Sequence, residues 1–116
     1  MKKPRPQKLQ GSTYSMKTGC GMLYITINDD QEGMFELFSS LGKSGGCASS
    51  QTESISRLIS LSLRSGVDPK QIIKQLIGIS CHQFIKAEEN SVMSCADAIA
   101  KTIKFHLEQK EVINAQ

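Results

Sequence analysis

The seven residues Met22 to Asn28 (MLYITIN) constrain the chain most, because they alternate in character and are rich in β-branched side chains. Leu23, Ile25 and Ile27 fall on one face and Tyr24, Thr26 and Asn28 on the other, as in a strand with one side on a core and the other towards water. The turn formers Asn28-Asp29-Asp30-Gln31-Glu32-Gly33 follow, and Met34 to Ser39 (MFELFS) resumes an extended, partly apolar run, which predicts a hairpin. Thr13 to Lys17 predicts a third strand leading into Gly19-Cys20-Gly21.

Downstream the apolar period changes to that of helices. Ser50 and Glu53 have capping-box spacing, and Ile55, Leu58, Ile59 and Ser62 follow on one face, with Leu61 beside it, until Gly66. Asp68 is an N-cap ahead of Pro69, and Ile72, Ile73, Leu76 and Ile77 repeat at core spacing before Gly78. A third helix begins at Ser94 with Asp97 three residues on, and Ala96, Ile99, Ala100, Ile103 and Leu107 form its stripe down to Lys104, His106 and Lys110. Strands first and helices afterwards predict an α+β fold: a small antiparallel sheet covered by about three C-terminal helices. Residues 1–12, with four cations, two prolines and one aliphatic side chain, read as a flexible basic leader without a part in the fold. Residues 13–110 form the single domain and 111–116 a polar tail.

With 116 residues there is room for one core, and 39% hydrophobic against 22% charged residues excludes a disordered chain. Trp is absent, so Ile and Leu must build that core, with Phe35, Phe38, Phe84 and Phe105 as the large aromatic fillers. No apolar run would cross a bilayer, and the basic start Met1-Lys2-Lys3-Pro4-Arg5-Pro6 has no apolar stretch behind it, so neither a membrane partner nor a secretory signal is expected. The net charge of +3 comes from Lys2, Lys3, Arg5 and Lys8 in the leader; without them ten cations face eleven acids. Such a body offers no nucleic-acid surface, and four leader cations without interleaved aromatics read as solvated chain.

Chemistry is therefore sought in the four cysteines. Cys47 and Cys95 fall at helix starts, where unpaired N–H groups and the helix dipole favour a negative ligand atom or nucleophile. Cys20 stands between glycines, and Cys81 follows the second helix. Convergence on one Zn²⁺ would use all four, with His82 or His106 in reserve. The intervening stretches of 26, 33 and 13 residues contain no C-x₂-C knuckle, however, so on spacing alone small buried thiols stand ahead of zinc, and a redox or disulfide pair follows. The run Gly42-Lys43-Ser44-Gly45-Gly46 before a helix offers backbone N–H groups and a lysine to a phosphate, but lacks the Walker A spacer; a tight strand-to-helix turn is the alternative. Neither histidine has partners at a spacing that suggests nucleophilic catalysis.

Several motifs in one order resemble a known family. Thr18-Gly19-Cys20-Gly21 leads into Leu23-Tyr24-Ile25-Thr26, followed by Leu41-Gly42-Lys43-Ser44-Gly45-Gly46-Cys47-Ala48. Arg57-Leu58-Ile59-Ser60-Leu61, Arg64-Ser65-Gly66-Val67-Asp68-Pro69, Ile73-Lys74-Gln75-Leu76, Ile79-Ser80-Cys81 and Ser94-Cys95-Ala96-Asp97-Ala98-Ile99-Ala100-Lys101 complete the set. Together, over roughly residues 11–108, they resemble a TSCPD domain, known chiefly from the C-terminal region of adenosylcobalamin-dependent ribonucleotide reductases and also as short free-standing proteins. The resemblance implies an α+β module with family cysteines at Cys20, Cys47, Cys81 and Cys95, and it shifts the cysteine reading towards a shared zinc site.

Two departures shape the functional expectation. The motif Thr-Ser-Cys-Pro-Asp stands here as Met93-Ser94-Cys95-Ala96-Asp97, which loses the proline but keeps both capping residues. The catalytic barrel and cobalamin site of a reductase do not fit in 116 residues, and no cysteine follows Lys110 to ferry electrons. The resemblance thus implies a non-catalytic accessory module of ribonucleotide reduction, and so of DNA precursor synthesis, with a reductase, a nucleotide or a second copy of the chain as partner. A small thiol-redox protein and a nucleotide-phosphate-binding protein are the alternatives. A cytoplasmic homodimer is expected, because cytosol keeps thiols reduced and a small sheet leaves an edge to cover.

Overall fold

A computed structural model describes residues 2–42, 46–80 and 94–115, the last four of these by backbone alone. Three strands, β1 (Gln10–Thr18), β2 (Gly21–Asp30) and β3 (Gly33–Leu41), form an antiparallel sheet in sequential order. Three helices follow, α1 (Gly46–Arg64), α2 (Pro69–Leu76) and α3 (Cys95–Ala115). The predicted α+β architecture is the observed one.

The alternation of β2 works as its period demands. Leu23, Ile25 and Ile27 are fully buried, and with Leu37 of β3 they meet Ile59 and Leu63 of α1, Ile72 of α2, and Ala98, Ile99 and Ile103 of α3. Each large aliphatic side chain placed there contributes about 1.5–3 kcal/mol. The opposite sheet face keeps Met22, Tyr24 and Phe38 exposed, so Phe38, like Phe105 on α3, is not the core filler its type predicts. Phe35 is, and Phe84 lies outside the described residues.

Several element boundaries differ from expectation. β1 begins at Gln10 rather than Thr13, because the ladder to β2 continues through Gln10↔Asp29, where polar side chains give no alternation to read. α1 begins at Gly46, so Ser50 lies within the helix, its hydroxyl donating to the Cys47 carbonyl at 3.0 Å instead of capping. The buried face of α1 is Thr52, Ser56, Ile59 and Leu63, while Leu58 is exposed. That rotation follows from hydroxyl contacts. Ser60 Oγ accepts from the Leu37 N–H at 3.0 Å and donates to the Leu37 carbonyl at 2.9 Å, occupying the outer edge of β3 where a fourth strand would pair. Ser39 Oγ meets Ser56 Oγ at 2.6 Å. α2 is capped as predicted, with Asp68 Oδ1 accepting from the Lys70 N–H. α3 continues past Lys110 to Ala115.

The leader also takes part in the fold. The Lys3 N–H donates to the Arg64 carbonyl at the end of α1, the Lys3 carbonyl accepts from the Arg64 guanidinium, and Lys3 Nζ donates to Asp30 at 2.7 Å. Arg5 clasps Glu36 through Nε and Nη2, both at 2.9 Å, and Asn28 Nδ2 donates to the same carboxylate. Burial pushes Glu36 up, but those donors and the nearby charges of Arg5 and Arg64 outweigh it and hold the carboxyl below its usual range. Asp30 is likewise lowered, chiefly by its bond from Lys3.

A depressed carboxylate pKa stabilises the fold above the unfolded value, about 4, and that stability disappears as pH falls through the folded value. Arg5→Ala removes the clasp and leaves only Asn28 and Arg64 to oppose the burial that pushes Glu36 upwards. The variant is expected to lose structure at a distinctly higher pH than the parent in an acid titration followed by circular dichroism. Coincident transitions would show that the leader does not hold Glu36 ionised.

Candidate functional site

One end of the sheet gathers the motif residues. β1 and β2 are joined through Gly19 and Cys20, and Gly21 closes the turn at a φ of 132°, where a Cβ would stand 2.8 Å from the Gly42 carbonyl oxygen. Gly42 in turn donates its N–H to the Met22 carbonyl, which holds the end of β3 against this turn. The hub is Thr18, only 4% exposed. Its hydroxyl donates to the Gly21 carbonyl at 2.8 Å and accepts from the Cys20 N–H at 3.2 Å. Cys95 Sγ, at the start of α3, reaches the same oxygen at 3.8 Å. Residues 75 positions apart are thus separated by one hydroxyl group.

The start of α3 is fastened to the chain leaving α2. Ser94 Oγ accepts from the Asp97 N–H at 3.0 Å and donates to the Ile79 carbonyl, while Asp97 Oδ1 accepts from the Gly78 N–H at 2.8 Å. Asp97 is fully buried and its Oδ2 pairs with Lys101 at 2.8 Å. Ala96 carries the helix onward where the TSCPD motif has proline, and Ser94 still caps it.

Of the predicted cysteines, the structure brings Cys20 and Cys95 together, both half-buried. Cys47 is exposed in the first turn of α1. Cys81 lies outside the described residues, as do Lys43, Ser44 and Gly45 of the predicted phosphate loop, whose flanks Gly42 and Gly46 end β3 and begin α1. Among the described residues, no group of three or more His, Cys, Asp and Glu could hold a metal ion. His106 is spoken for: Nδ1 meets Tyr14 Oη at 2.6 Å and Nε2 meets Asp29 at 2.9 Å, so the reserve-ligand expectation does not fit it. His82 lies outside the described residues. Sequence reasoning missed Thr18, whose only signal was its place beside Gly19-Cys20-Gly21.

A family model for the TSCPD domain matches residues 1–107 of the chain. The chain belongs to the TSCPD domain family. The match takes in the leader, which agrees with the contacts that Lys3 and Arg5 make. No match to a curated protein or to a solved structure was found. Among the described residues of this TSCPD chain, no helix is long and apolar enough to cross a membrane.

Proposed function

We propose that this TSCPD chain is a non-catalytic accessory module of ribonucleotide reduction, in which Cys20, Cys47, Cys81 and Cys95 hold a structural zinc ion. The observation that carries the reading is the approach of the Cys20 backbone N–H and the Cys95 Sγ to the same Thr18 hydroxyl. The segment containing Cys81 leaves from Ile79, whose carbonyl is held by Ser94 beside Cys95. Four sulfur donors satisfy the tetrahedral preference of zinc, and thiolates suit it better than they suit harder cations. Bound there, the ion would supply cross-linking: it would tie a hairpin turn to the starts of two helices in a domain with a single small core. The module would then act through its surfaces on a reductase, a nucleotide or another copy of itself, in the cytoplasm.

Elemental analysis of protein purified without added metal, with thiol titration before and after chelation, tests the zinc reading. About one zinc per chain, with four cysteines reactive only after chelation, is the expected result. Metal-free protein with an iodoacetamide-reactive thiolate below pH 7 and a reversible Cys20–Cys95 disulfide would replace it with the thiol-redox reading, which the same pair of residues favours. The accessory role is tested separately by adding the protein to a ribonucleotide reductase and measuring association and turnover.

A further inference from the structure

The two edges of the sheet are treated differently. On β3 the outward N–H and C=O of Leu37 are both taken by Ser60. On β1 the outward groups can be identified from the register. Met22 turns its carbonyl towards β3, to Gly42, so Leu23, Ile25 and Ile27 bond towards β1, to their partners Met16, Tyr14 and Ser12. Gly11, Thr13, Ser15 and Lys17 therefore direct their N–H and C=O groups away from the sheet. All four are exposed, and among the described residues nothing bonds to these backbone groups.

This edge lacks the usual protection. β1 runs nine residues with continuous register to β2, contains no proline, and has one charged side chain, Lys17, near one end. Beside its midpoint, Tyr14, lies Phe105 of α3, 47% exposed and packed edge-on against the Tyr14 ring at 5.8 Å.

We infer that two copies of the chain join antiparallel along β1, about a two-fold axis at Tyr14, into one continuous sheet. The occupant is a second copy because the strand is complementary to itself in this register. Thr13 and Ser15 face the second copy's Ser15 and Thr13, while Gly11 and Lys17 face its Lys17 and Gly11. These are the residues whose backbone groups point outwards, so each facing pair exchanges hydrogen bonds. The lone cation stands opposite glycine, so no like charges meet across the axis. Tyr14 faces Tyr14, which brings the two Tyr14–Phe105 ring pairs side by side and covers the exposed aromatics. An isologous contact of this kind closes at two chains and removes the free edge of both. The inference does not depend on the cysteines binding a metal.

Ser15→Pro is the deciding variant, because the Ser15 N–H points away from β2 and proline there takes nothing from the monomer's own ladder. Sedimentation equilibrium should give a dimer for the parent chain. The variant should keep its circular dichroism and dissociate at least about tenfold more readily. The amides of Gly11, Thr13, Ser15 and Lys17 should be protected from hydrogen exchange in the parent dimer. Should Ser15→Pro fail to fold, T13K/S15K, which sets lysine against lysine across the axis, should be monomeric, and T13E/S15K, which sets glutamate against lysine, should dimerise. A parent chain that stays monomeric at high micromolar concentration overturns the inference. So does a dimer that Ser15→Pro or T13K/S15K leaves intact.

Discussion

Replacing Asp97 by alanine is expected to lower the unfolding free energy by about 3 kcal/mol, read from urea denaturation. The carboxylate is fully buried, with Oδ1 on the Gly78 N–H and Oδ2 on Lys101. Deleting it takes the acceptor from the N–H of Gly78, an exposed residue, and the counter-charge from a lysine that is 35% exposed. Both partners lie close to water, so most of the cost lies in the two lost bonds to the buried carboxylate and in the space its side chain leaves. Asp97→Asn retains an oxygen for Gly78 while losing the ion pair, and should cost only about 1 kcal/mol. A change within about 0.5 kcal/mol for the alanine variant would show that Asp97 does not fasten this junction. Because Gly78 and Ile79 lead into the segment with Cys81, the alanine variant should also lower the zinc content if the proposed site forms.

What could be read in the residues was set by how local the signal was. The β2 alternation needs only the period-2 pleat, and Leu23, Ile25 and Ile27 are buried as that rule requires. The Asp68-Pro69 start of α2 needs only the first turn of a helix. The orientation of α1 was not legible, because serine hydroxyls, not aliphatic side chains, seat part of it on β3, and a hydrophobic period does not register them. The leader looked like solvated chain for a similar reason: its cations find Asp30 and Glu36 only after the hairpin has formed. The cysteines were legible as residues at element ends, but not as neighbours. Their separations along the chain carry no information about distance when a hairpin turn and a helix start are brought together by the sheet between them, as Cys20 and Cys95 are at Thr18.

His106 was equally hidden, and its removal is the second large effect expected. The ring is 4% exposed and joins three elements: Tyr14 of β1 at Nδ1, Asp29 of β2 at Nε2, and its own helix α3. The network is satisfied when Nε2–H donates to Asp29 and Nδ1 accepts the Tyr14 hydroxyl proton, a proton that burial helps to retain by raising the Tyr14 pKa. Lys110, 3.2 Å from Asp29, offsets the carboxylate charge from the next turn of the helix. His106→Ala opens a cavity between α3 and the sheet and strips both Tyr14 and Asp29 of a partner, so urea unfolding should register a loss of about 3 kcal/mol. Tyr14→Phe deletes one bond and should cost about 1 kcal/mol. Combined, the two should cost less than their sum, because the Tyr14–His106 bond is lost in each single variant. Strict additivity would mean that the 2.6 Å contact contributes nothing. Since Tyr14 also marks the centre of the free edge and packs against Phe105, loosening it from His106 should weaken self-association as well, whereas Asp97→Ala, acting where α3 begins, should not.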